Sequence, residues 1–410
     1  MNAPLVPTSK SEQAHFTHAE SHVLIAWLYD RAGSTPNKTS VRYYGARGAW
    51  QSETWSQTAR HIAAVTEGLH RLRLGSGDRV ALVGPLNLEQ VWVGLAAISL
   101  GAIVRSVHFR EQHVTQELAD VDFVYADDPA SMVAGESNPG PRKVLFNDRR
   151  FSSPRSESAR YVGLTQLQSP YDDRDGDRPV PLARCERESP YNRDSQASDR
   201  FLVARRCAAV EELAREIHLT TSDRTVTSDL FDSPFQMTFG LALWLKAGLE
   251  LVISETARDV DADVTWNPTY LCDTSDALER WCATIRARFG HEGSLRRRFV
   301  EWGINRAATN HGSWLANSIA RLGVAAPLQR KLDLTRLRAL VVAEPALNDA
   351  SRQLLAALRV PLRTVENLEA LPESLEPIWS EHRDGTVLFA GGREHSLRTF
   401  SRAARGIEQT

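Results

Sequence analysis

The sequence predicts an α/β fold in which mostly parallel β-sheets are sandwiched by helices. Short apolar runs alternate with helical patterns between residues 23 and 125, with connections of only a few residues. The same alternation resumes after a polar middle segment and continues to about residue 365. Strands joined through helices pair in parallel, and parallel sheets carry helices on both faces. A chain of 410 residues is long enough to bury a core for two such sheets.

One helix of the first half indicates how the layers are arranged. Residues Leu88 to Leu100 are apolar on nearly every side of the predicted helix. Asn87 can cap its first turn and Gly101 can end it. A helix without a polar face predicts burial between the first sheet and a second layer. The other elements expected in this half are a helix over 59–72, a turn over 75–78, and strands over 79–83, 102–104 and 121–125.

The second half repeats the alternation. An apolar helix from Phe235 to Ala247 is followed by Gly248 and lies between the predicted strands 224–230 and 249–253. A long helical tract over 274–330 comes next. The other elements expected here are a helix over 207–217, a strand and turn over 264–268, a strand over 337–343, a helix over 348–358 and a strand over 361–365. These patterns predict a second parallel sheet.

The segment between the two halves is polar. Residues 152–158 and 171–187 are rich in Arg, Asp, Ser and Pro and contain few apolar side chains. The predicted organisation is therefore a flexible N-terminus over 1–20, a first α/β subdomain over 21–190 with a polar loop region over about 128–190, a second α/β subdomain over 191–375, and a C-terminal segment over 376–410.

Composition narrows the function classes. The chain has 42% hydrophobic and 24% charged residues, as ordinary globular proteins do. Its formal net charge of −2 gives no reason to expect nucleic acid or an anionic membrane as a partner. The sequence contains no transmembrane segment and no signal-peptide core, which predicts a cytoplasmic location. Cys185, Cys207, Cys272 and Cys282 have no metal-ligand spacing, which predicts reduced thiols.

Several segments, in order along the chain, resemble the AMP-dependent acyl-CoA synthetases of the adenylate-forming superfamily. Trp50 to Trp55 resembles that family's early tryptophan-containing strand pair, and Leu74 to Ala81 resembles its LGVxPGDRVAI turn. Asn87 and Gly101 fit the segment that follows, and the resemblance runs over about residues 23–410. It implies the large N-terminal domain of the adenylate-forming fold, with two layered, mostly parallel β-sheets sandwiched by helices.

The segment 191–200 stands where that family has its glycine-rich phosphate loop, roughly YTSGTTGxPK. Here it reads YNRDSQASDR, with Asp194 and Ala197 at the two glycine positions. Such loops bind a triphosphate through backbone N–H groups, and glycine allows the close approach and the positive φ that this needs. A carboxylate in the loop repels the nucleotide. The residues that remain as weak candidates for cofactor binding are Tyr191, Ser195 and Arg200.

Two later motifs of the family are also altered. Where the family has YGxTE, which contacts the nucleotide and whose glutamate helps hold magnesium, the chain reads VENLE, so only Glu369 corresponds. Residues 386–394 resemble the hinge, with Arg393 at its arginine position. The small barrel and the mobile C-terminal domain, with its adenylating lysine, are expected to be largely missing. Losing one charge-stabilising contact slows such reactions by about 10²–10³-fold, so the combined losses predict impaired catalysis.

The apolar helix raises the question of an acyl pocket. The matching helix of the family lines that pocket, which makes Phe235 and Phe239 candidate substrate contacts. The aromatic and methionine side chains of this region serve equally well as sheet-packing core, and core packing is the favoured interpretation. The side chains concerned are Phe231, Phe235, Met237, Phe239 and Trp244.

Polar clusters elsewhere have simpler interpretations. The cluster Arg296-Arg297-Arg298 is interpreted as a solvated helix face rather than a phosphate or nucleic-acid patch. The histidines at positions 15, 18 and 22 and the acidic loop over 172–177 are interpreted as solvated side chains. No metal site is predicted.

The residues together predict an AMP-binding, acyl-CoA synthetase-like protein that is catalytically impaired. It would bind an acyl or aryl acid, or act as an accessory to a partner such as an active acyl-CoA synthetase or a carrier protein, and a homodimer is compatible with this role. No cofactor is expected. The alternative is an active acid-activating ligase completed by a partner chain, with Arg200 replacing the loop lysine and with ATP or AMP, Mg and CoA in use. A remnant with no selected role is the third hypothesis.

Overall fold

The computed structural model describes residues 18–45, 49–107, 118, 120–127, 141–151, 160–168, 207–233, 235–253, 266–291, 293–309, 313–343, 347–365, 379–380 and 386–387. The elements of the first half are α1 (His18–Ser34), β1 (Thr39–Tyr44), β2 (Trp50–Thr54), α2 (Trp55–Arg71), β3 (Arg79–Val83), α3 (Leu88–Ser99), β4 (Ile103–Val107), β5 (Phe123–Ala126), β6 (Lys143–Phe146), β7 (Tyr161–Gly163) and a short helix (Leu164–Gln168).

The second half begins with a helix over 207–216 and continues with strands and helices in alternation. The strands are β8 (Arg224–Thr227), β9 (Glu250–Ile253), β10 (Tyr270–Asp273), β11 (Ala339–Ala343), β12 (Leu362–Val365), β13 (Trp379–Ser380) and β14 (Thr386–Val387). The helical segments are a π-helix (Gln236–Ala242) running into an α-helix (Leu243–Ala247), then Ser275–Ala287, Leu295–Thr309, Trp314–Ala320, a π-helix (Arg321–Ala325), Ala326–Lys331 and Asp349–Ala357.

The described strands form two sheets. The first has five strands in the order β4-β3-β5-β6-β7, and every neighbouring pair is parallel. The second has nine strands, in the order β13-β12-β11-β10-β8-β9-β1-β2, with β14 also paired to β12. Its centre, from β12 to β1, is parallel, and the edge pairs β1–β2 and β12–β13 are antiparallel. This confirms the predicted fold class.

The largest core lies between the two sheets. Along β3, Val80 and Leu82 face this inner core, whereas Ala81 and Val83 belong to a small cluster on the far side of the five-stranded sheet. The nine-stranded sheet alternates in the same way, and its outer face is covered by the helices that follow β10. Because neighbouring side chains on a strand point to opposite faces, buried strands of this kind carry apolar residues at nearly every position.

The helix α3 lies in that inner layer, as its sequence predicts. The Asn87 side chain accepts a hydrogen bond from Gln90 N at 2.8 Å, and Gly101 takes a positive φ of 77° just beyond the helix. All of its residues except Glu89 and Ser99 are buried. A helix buried on all sides needs an apolar residue at nearly every position, which explains the missing polar face.

Three sequence predictions about elements were wrong. The polar loop region over about 128–190 contains β6 and β7, whose four-residue and three-residue runs are too short to stand out from their polar surroundings. Of the strand and turn expected at 264–268, residues 264 and 265 lie outside the described residues and 266–268 are not in a strand; β10 begins at Tyr270, because Asn267 adopts a φ of 48° and Pro268 has no N–H to donate. The N-terminal segment predicted over 1–20 ends too late by three residues, because α1 begins at His18; residues 1–17 lie outside the described residues, and their flexibility stays a prediction.

Candidate functional site

Most of the predicted nucleotide and catalytic residues cannot be placed. Tyr191, Ser195, Arg200, Glu369 and Arg393 all lie outside the described residues. Their roles therefore stay predictions from the sequence.

The two candidate substrate residues, Phe235 and Phe239, lie in the inner core. Phe239 is fully buried and Phe235 is 7% exposed. Their ring centroids are 5.3 Å apart in a tilted arrangement, and both pack among the side chains between the two sheets. The structure thus gives both rings a packing role, and contact with a ligand stays a prediction.

The helix that carries these rings departs from α-helical geometry. Its segment Gln236–Ala242 is π-helical, a form that is often associated with functional sites. The hydroxyl of Tyr270, on β10, donates a hydrogen bond to Phe239 O at 2.8 Å. Burial is the main cause that raises the pKa of Tyr270 well above its ordinary value, so its hydroxyl remains a donor. Gln236 is also buried, and its Oε1 lies 3.6 Å from Cys272 Sγ.

Close packing fills the space between this helix and α3. Phe231 is 1% exposed, and a Cβ built on Gly94 would lie 2.5 Å from its Cζ atom. Glycine at position 94 is therefore what lets the phenyl ring sit against the helix backbone. Any side chain there would have to displace Phe231, so this contact requires glycine at position 94.

The connection just after β8 contacts β4, the edge strand of the five-stranded sheet. The carboxylate of Asp229 accepts hydrogen bonds from Ser106 Oγ, on β4, at 2.9 Å and from Phe231 N at 2.8 Å. Ser106 N also donates to Phe231 O at 3.2 Å. Asp229 is buried, so this carboxylate ties the connection after β8 to the five-stranded sheet and positions the aromatic residues that follow.

A buried acidic group that sequence reasoning missed lies beside the inner core. Glu53, 6% exposed, has its Oε1 2.8 Å from His61 Nδ1. Its Oε2 accepts hydrogen bonds from Thr58 Oγ1 at 3.2 Å and from Trp92 Nε1 at 3.3 Å. These contacts satisfy a carboxylate that burial would otherwise penalise, and they orient the His61 ring against Trp92. No pattern within one element could have revealed these contacts, because Glu53 lies on β2 and its partners lie on α2 and α3.

Polar side chains also meet where β3, β5 and β6 end. The strand order changes direction between β3 and β5, and open α/β sheets bind ligands at such a point, outside the carboxyl ends of the strands. Glu89 accepts a hydrogen bond from Asn147 Nδ2 at 2.9 Å, and Arg150 Nη1 lies 3.2 Å from Asp127 Oδ2. Burial and, less strongly, the charge of Asp127 raise the pKa of the Glu89 carboxyl. This cluster could contact a polar ligand, but its described groups already hold one another.

Three of the four cysteines lie among the described residues. Cys272 and Cys282 are buried, Cys207 is half-buried, and none of these three forms a disulfide among the described residues; Cys185 lies outside them. In the described ranges, no three His, Cys, Asp or Glu side chains form a group that could hold a metal ion. No helix in that part of the chain combines the length and apolarity needed to cross a bilayer.

Comparison with known proteins gives a match in structure and not in sequence. No family model matches the chain, and no curated protein matches it. Among solved structures, an acyl-CoA synthetase from Brucella canis has a TM-score of 0.54 at 15% identity, over 95% of this chain and 62% of that one. The anthranilate CoA ligase AuaEII, in complex with anthranoyl-AMP, has the same TM-score and identity, over 95% of this chain and 70% of that one.

A third similar structure is the acetoacetyl-CoA synthetase from Streptomyces lividans, with a TM-score of 0.51 at 14% identity. This match covers 84% of the present chain and 51% of the synthetase. The fold is that of the N-terminal domain of adenylate-forming acyl-CoA synthetases. At 14–15% identity the likeness establishes the fold alone, and it confirms the fold that the sequence motifs imply.

Proposed function

We propose that this chain is an acyl-CoA synthetase-like protein whose adenylating chemistry is impaired, and that it serves as an acyl- or aryl-acid-binding or partner-binding accessory protein. The observation that carries the proposal is a contrast within one chain. The two-sheet scaffold of the acyl-CoA synthetases is present with a buried core, whereas the segment at the phosphate-loop position contains no glycine.

Binding of a triphosphate depends on access to the backbone N–H groups of the loop. A phosphate-binding loop presents several N–H groups to one anion, and side chains at the glycine positions block that approach. Ala197 adds bulk at one such position, and Asp194 adds a negative charge at the other. The loop lysine is replaced by Arg200, which can still clamp a phosphate but does not restore the missing N–H groups.

An acid is the ligand class that best fits the remaining scaffold. The similar solved structures are an acyl-CoA synthetase, an acetoacetyl-CoA synthetase and an anthranilate CoA ligase in complex with anthranoyl-AMP. In this chain the inner layer carries aromatic rings beside the buried polar groups of Gln236 and Tyr270. Aromatic walls with a few polar groups are the usual lining of small-molecule sites.

ATP–pyrophosphate exchange with a panel of aliphatic and aromatic carboxylic acids tests the impairment. The expected result is no exchange above background for the wild-type chain. A matched variant restores the loop, with Asp194→Gly, Ala197→Gly and Arg200→Lys together. Exchange by the wild-type chain with any acid would contradict the proposal, and equal nucleotide binding by the two proteins would show that the loop is not the cause.

The accessory role is tested by purification from the native host. Mass spectrometry of co-purified proteins and of extracted small molecules is expected to find a bound acid, an acyl-CoA synthetase or a carrier protein. The alternative, an active ligase completed by a partner chain, rests on the arginine at the lysine position. It predicts that exchange activity appears when the co-purified partner is added back. A preparation with neither ligand nor partner would contradict both proposals.

A further inference from the structure

Two neighbouring helices on the outer face of the nine-stranded sheet form the basic helix pair, defined here as Leu295–Thr309 and the continuous helical stretch 314–331. Their inner sides join the outer core through Ile304 and Val324, among others. A Cβ built on Gly303 would lie 2.5 Å from Val324 Cγ2, so the two helices approach closely at this point. The pair is therefore a fixed part of the fold.

The outer sides of the basic helix pair are unusually apolar. Within the described part of the chain, seven of the eight exposed large apolar side chains belong to this pair. On each helix three of them follow an i, i+4, i+7 spacing, which aligns them as one stripe along the helix. The seven side chains are Leu295, Phe299, Trp302, Trp314, Leu315, Ile319 and Leu322. Leu295, Trp314 and Leu322 are the most exposed, at 82%, 73% and 75%.

Basic residues accompany these stripes. The segment 295–331 contains seven Arg or Lys residues and one acidic residue, a net charge of +6 in a chain whose net charge is −2. The acidic residue, Glu301, is held by Arg297 at 2.8 Å. Arg296, Arg298 and Arg330 are exposed beside the stripes. The chain is nearly neutral as a whole, but this segment is basic, and three of its arginines are exposed.

Charge and composition favour a lipid surface over a second copy of the chain. A twofold contact through this face would bring the exposed Arg296, Arg298 and Arg330 of two copies together, and such like-charge contacts are unfavourable. An anionic bilayer provides the opposite charge. Helices that lie in a membrane interface combine exposed Leu, Ile, Phe and Trp with neighbouring Arg. Their apolar side chains lie among the headgroups, and their cations contact the phosphates.

We propose that the basic helix pair docks this protein on an anionic lipid surface. The apolar stripes insert at the level of the headgroups, and the arginines contact lipid phosphates. The protein lies on the surface and no helix needs to cross it. This inference is independent of the function proposed above, because it involves neither the inner layer nor the segment 191–200.

Co-sedimentation of the full chain with lipid vesicles is the first test. Vesicles of phosphatidylcholine alone are compared with vesicles that also contain phosphatidylglycerol. Binding is expected only when the anionic lipid is present. It is expected to weaken steeply as salt rises, because the Debye length falls from about 10 Å at 0.1 M to about 3 Å at 1 M.

Two surface variants separate the apolar and ionic contributions. Trp314→Ser with Leu322→Ser is expected to lower the partition coefficient at least about tenfold, through loss of buried apolar area. Arg296→Glu with Arg298→Glu is expected to lower it more than about twentyfold, since each cation near an anionic surface is worth about fivefold. All four side chains are exposed, so thermal unfolding should match the wild type.

Two controls change an exposed ring and an exposed arginine elsewhere on the protein. Tyr44→Ser, on β1, removes an exposed apolar side chain, and Arg73→Glu, just after α2, reverses an exposed charge. Both controls should retain wild-type binding to anionic vesicles. Equal losses in variants and controls would overturn the proposal, as would wild-type protein that binds no vesicle. A dimer in solution that dissociates in the Trp314→Ser, Leu322→Ser variant would also overturn it, in favour of a second copy on this face.

Discussion

The inner layer between the two sheets and the basic helix pair use the same side-chain types in opposite ways. Trp244 is fully buried, stacks on Trp55 at 5.2 Å and donates a hydrogen bond from Nε1 to Ser40 O at 3.2 Å. Trp314, on the helix pair, is 73% exposed. In the inner layer aromatic rings stabilise the fold, whereas on the helix pair they add nothing comparable to stability. Their exposure points instead to an interaction.

The largest effect expected from this contrast concerns these two tryptophans. Trp244→Ala should lower the free energy of unfolding by about 3–5 kcal/mol, because it removes a buried ring and leaves a cavity. Trp314→Ala should change it by less than about 0.5 kcal/mol. Urea unfolding of both variants measures the difference. Similar losses in the two would contradict the assignment of one ring to the core and the other to a surface.

The next effect concerns the ion pair of Asp223, just before β8, with Arg338. Burial acts to raise the pKa of Asp223, but hydrogen bonds from Arg338 and from Thr220 N outweigh it and hold that pKa below its ordinary value. A lowered pKa in the fold stabilises the protein above the unfolded pKa of about 4, and this contribution disappears as pH falls through the folded pKa.

Asp223→Asn should therefore cost about 1.5–3 kcal/mol of unfolding free energy at neutral pH, the usual contribution of a hydrogen bond to a charged group. The cost should shrink toward zero in strongly acidic buffer, where the wild-type carboxyl is also neutral. Urea unfolding over a pH series provides the readout. A cost that stays constant with pH would show that the Asp223 charge does not contribute.

At Glu89 the charge is expected to lower the stability of the fold, in contrast to Asp223, because burial raises the pKa of the Glu89 carboxyl. The folded state then binds a proton more tightly than the unfolded state, so ionisation destabilises the fold as pH rises through the folded pKa. Glu89→Gln keeps an oxygen that can accept from Asn147 and should raise stability at pH 7 by about 1 kcal/mol or less. The gain should vanish below the unfolded pKa of about 4. Lower stability at pH 7 would instead indicate that the ionised carboxylate is required.

The smallest effect is on thiol reactivity and leaves stability unchanged. Burial raises the pKa of Cys282 to about 11, so it should not form a thiolate readily near pH 8, and Cys272 is buried away from the reagent. Cys207 is half-buried and should be alkylated first among these three. Peptide mapping after brief iodoacetamide treatment checks the order. Early modification of Cys282 would contradict its burial in the outer core.

The predictability of the fold followed the length and regularity of the local patterns. The helix α3 could be predicted because Asn87, Gly101 and an apolar run of a dozen residues act together. The strands β6 and β7 could not, because four or three residues carry too little periodicity, and their pairing with β5 and with each other is what stabilises them. The π-helical segment Gln236–Ala242 had no sequence signal at all.

The candidate sites were less predictable than the fold, for a physical reason. The contacts of Glu53 join the strand β2 to the helices α2 and α3, so they depend on how these elements pack and follow no spacing within one element. The periodicity of the tract over 274–330 indicated helices, but it could not tell that the stripes of Leu295 and Leu322 face outward. Motif comparison located the altered loop over 191–200 but not its geometry.

Calorimetric titration with MgATP tests the central claim most directly. The wild-type chain is compared with the variant that carries Asp194→Gly, Ala197→Gly and Arg200→Lys. No measurable heat of binding is expected for the wild type, and a restored, saturable signal is expected for the variant. Saturable binding of MgATP to the wild-type chain, at an affinity equal to that of the variant, would contradict that claim.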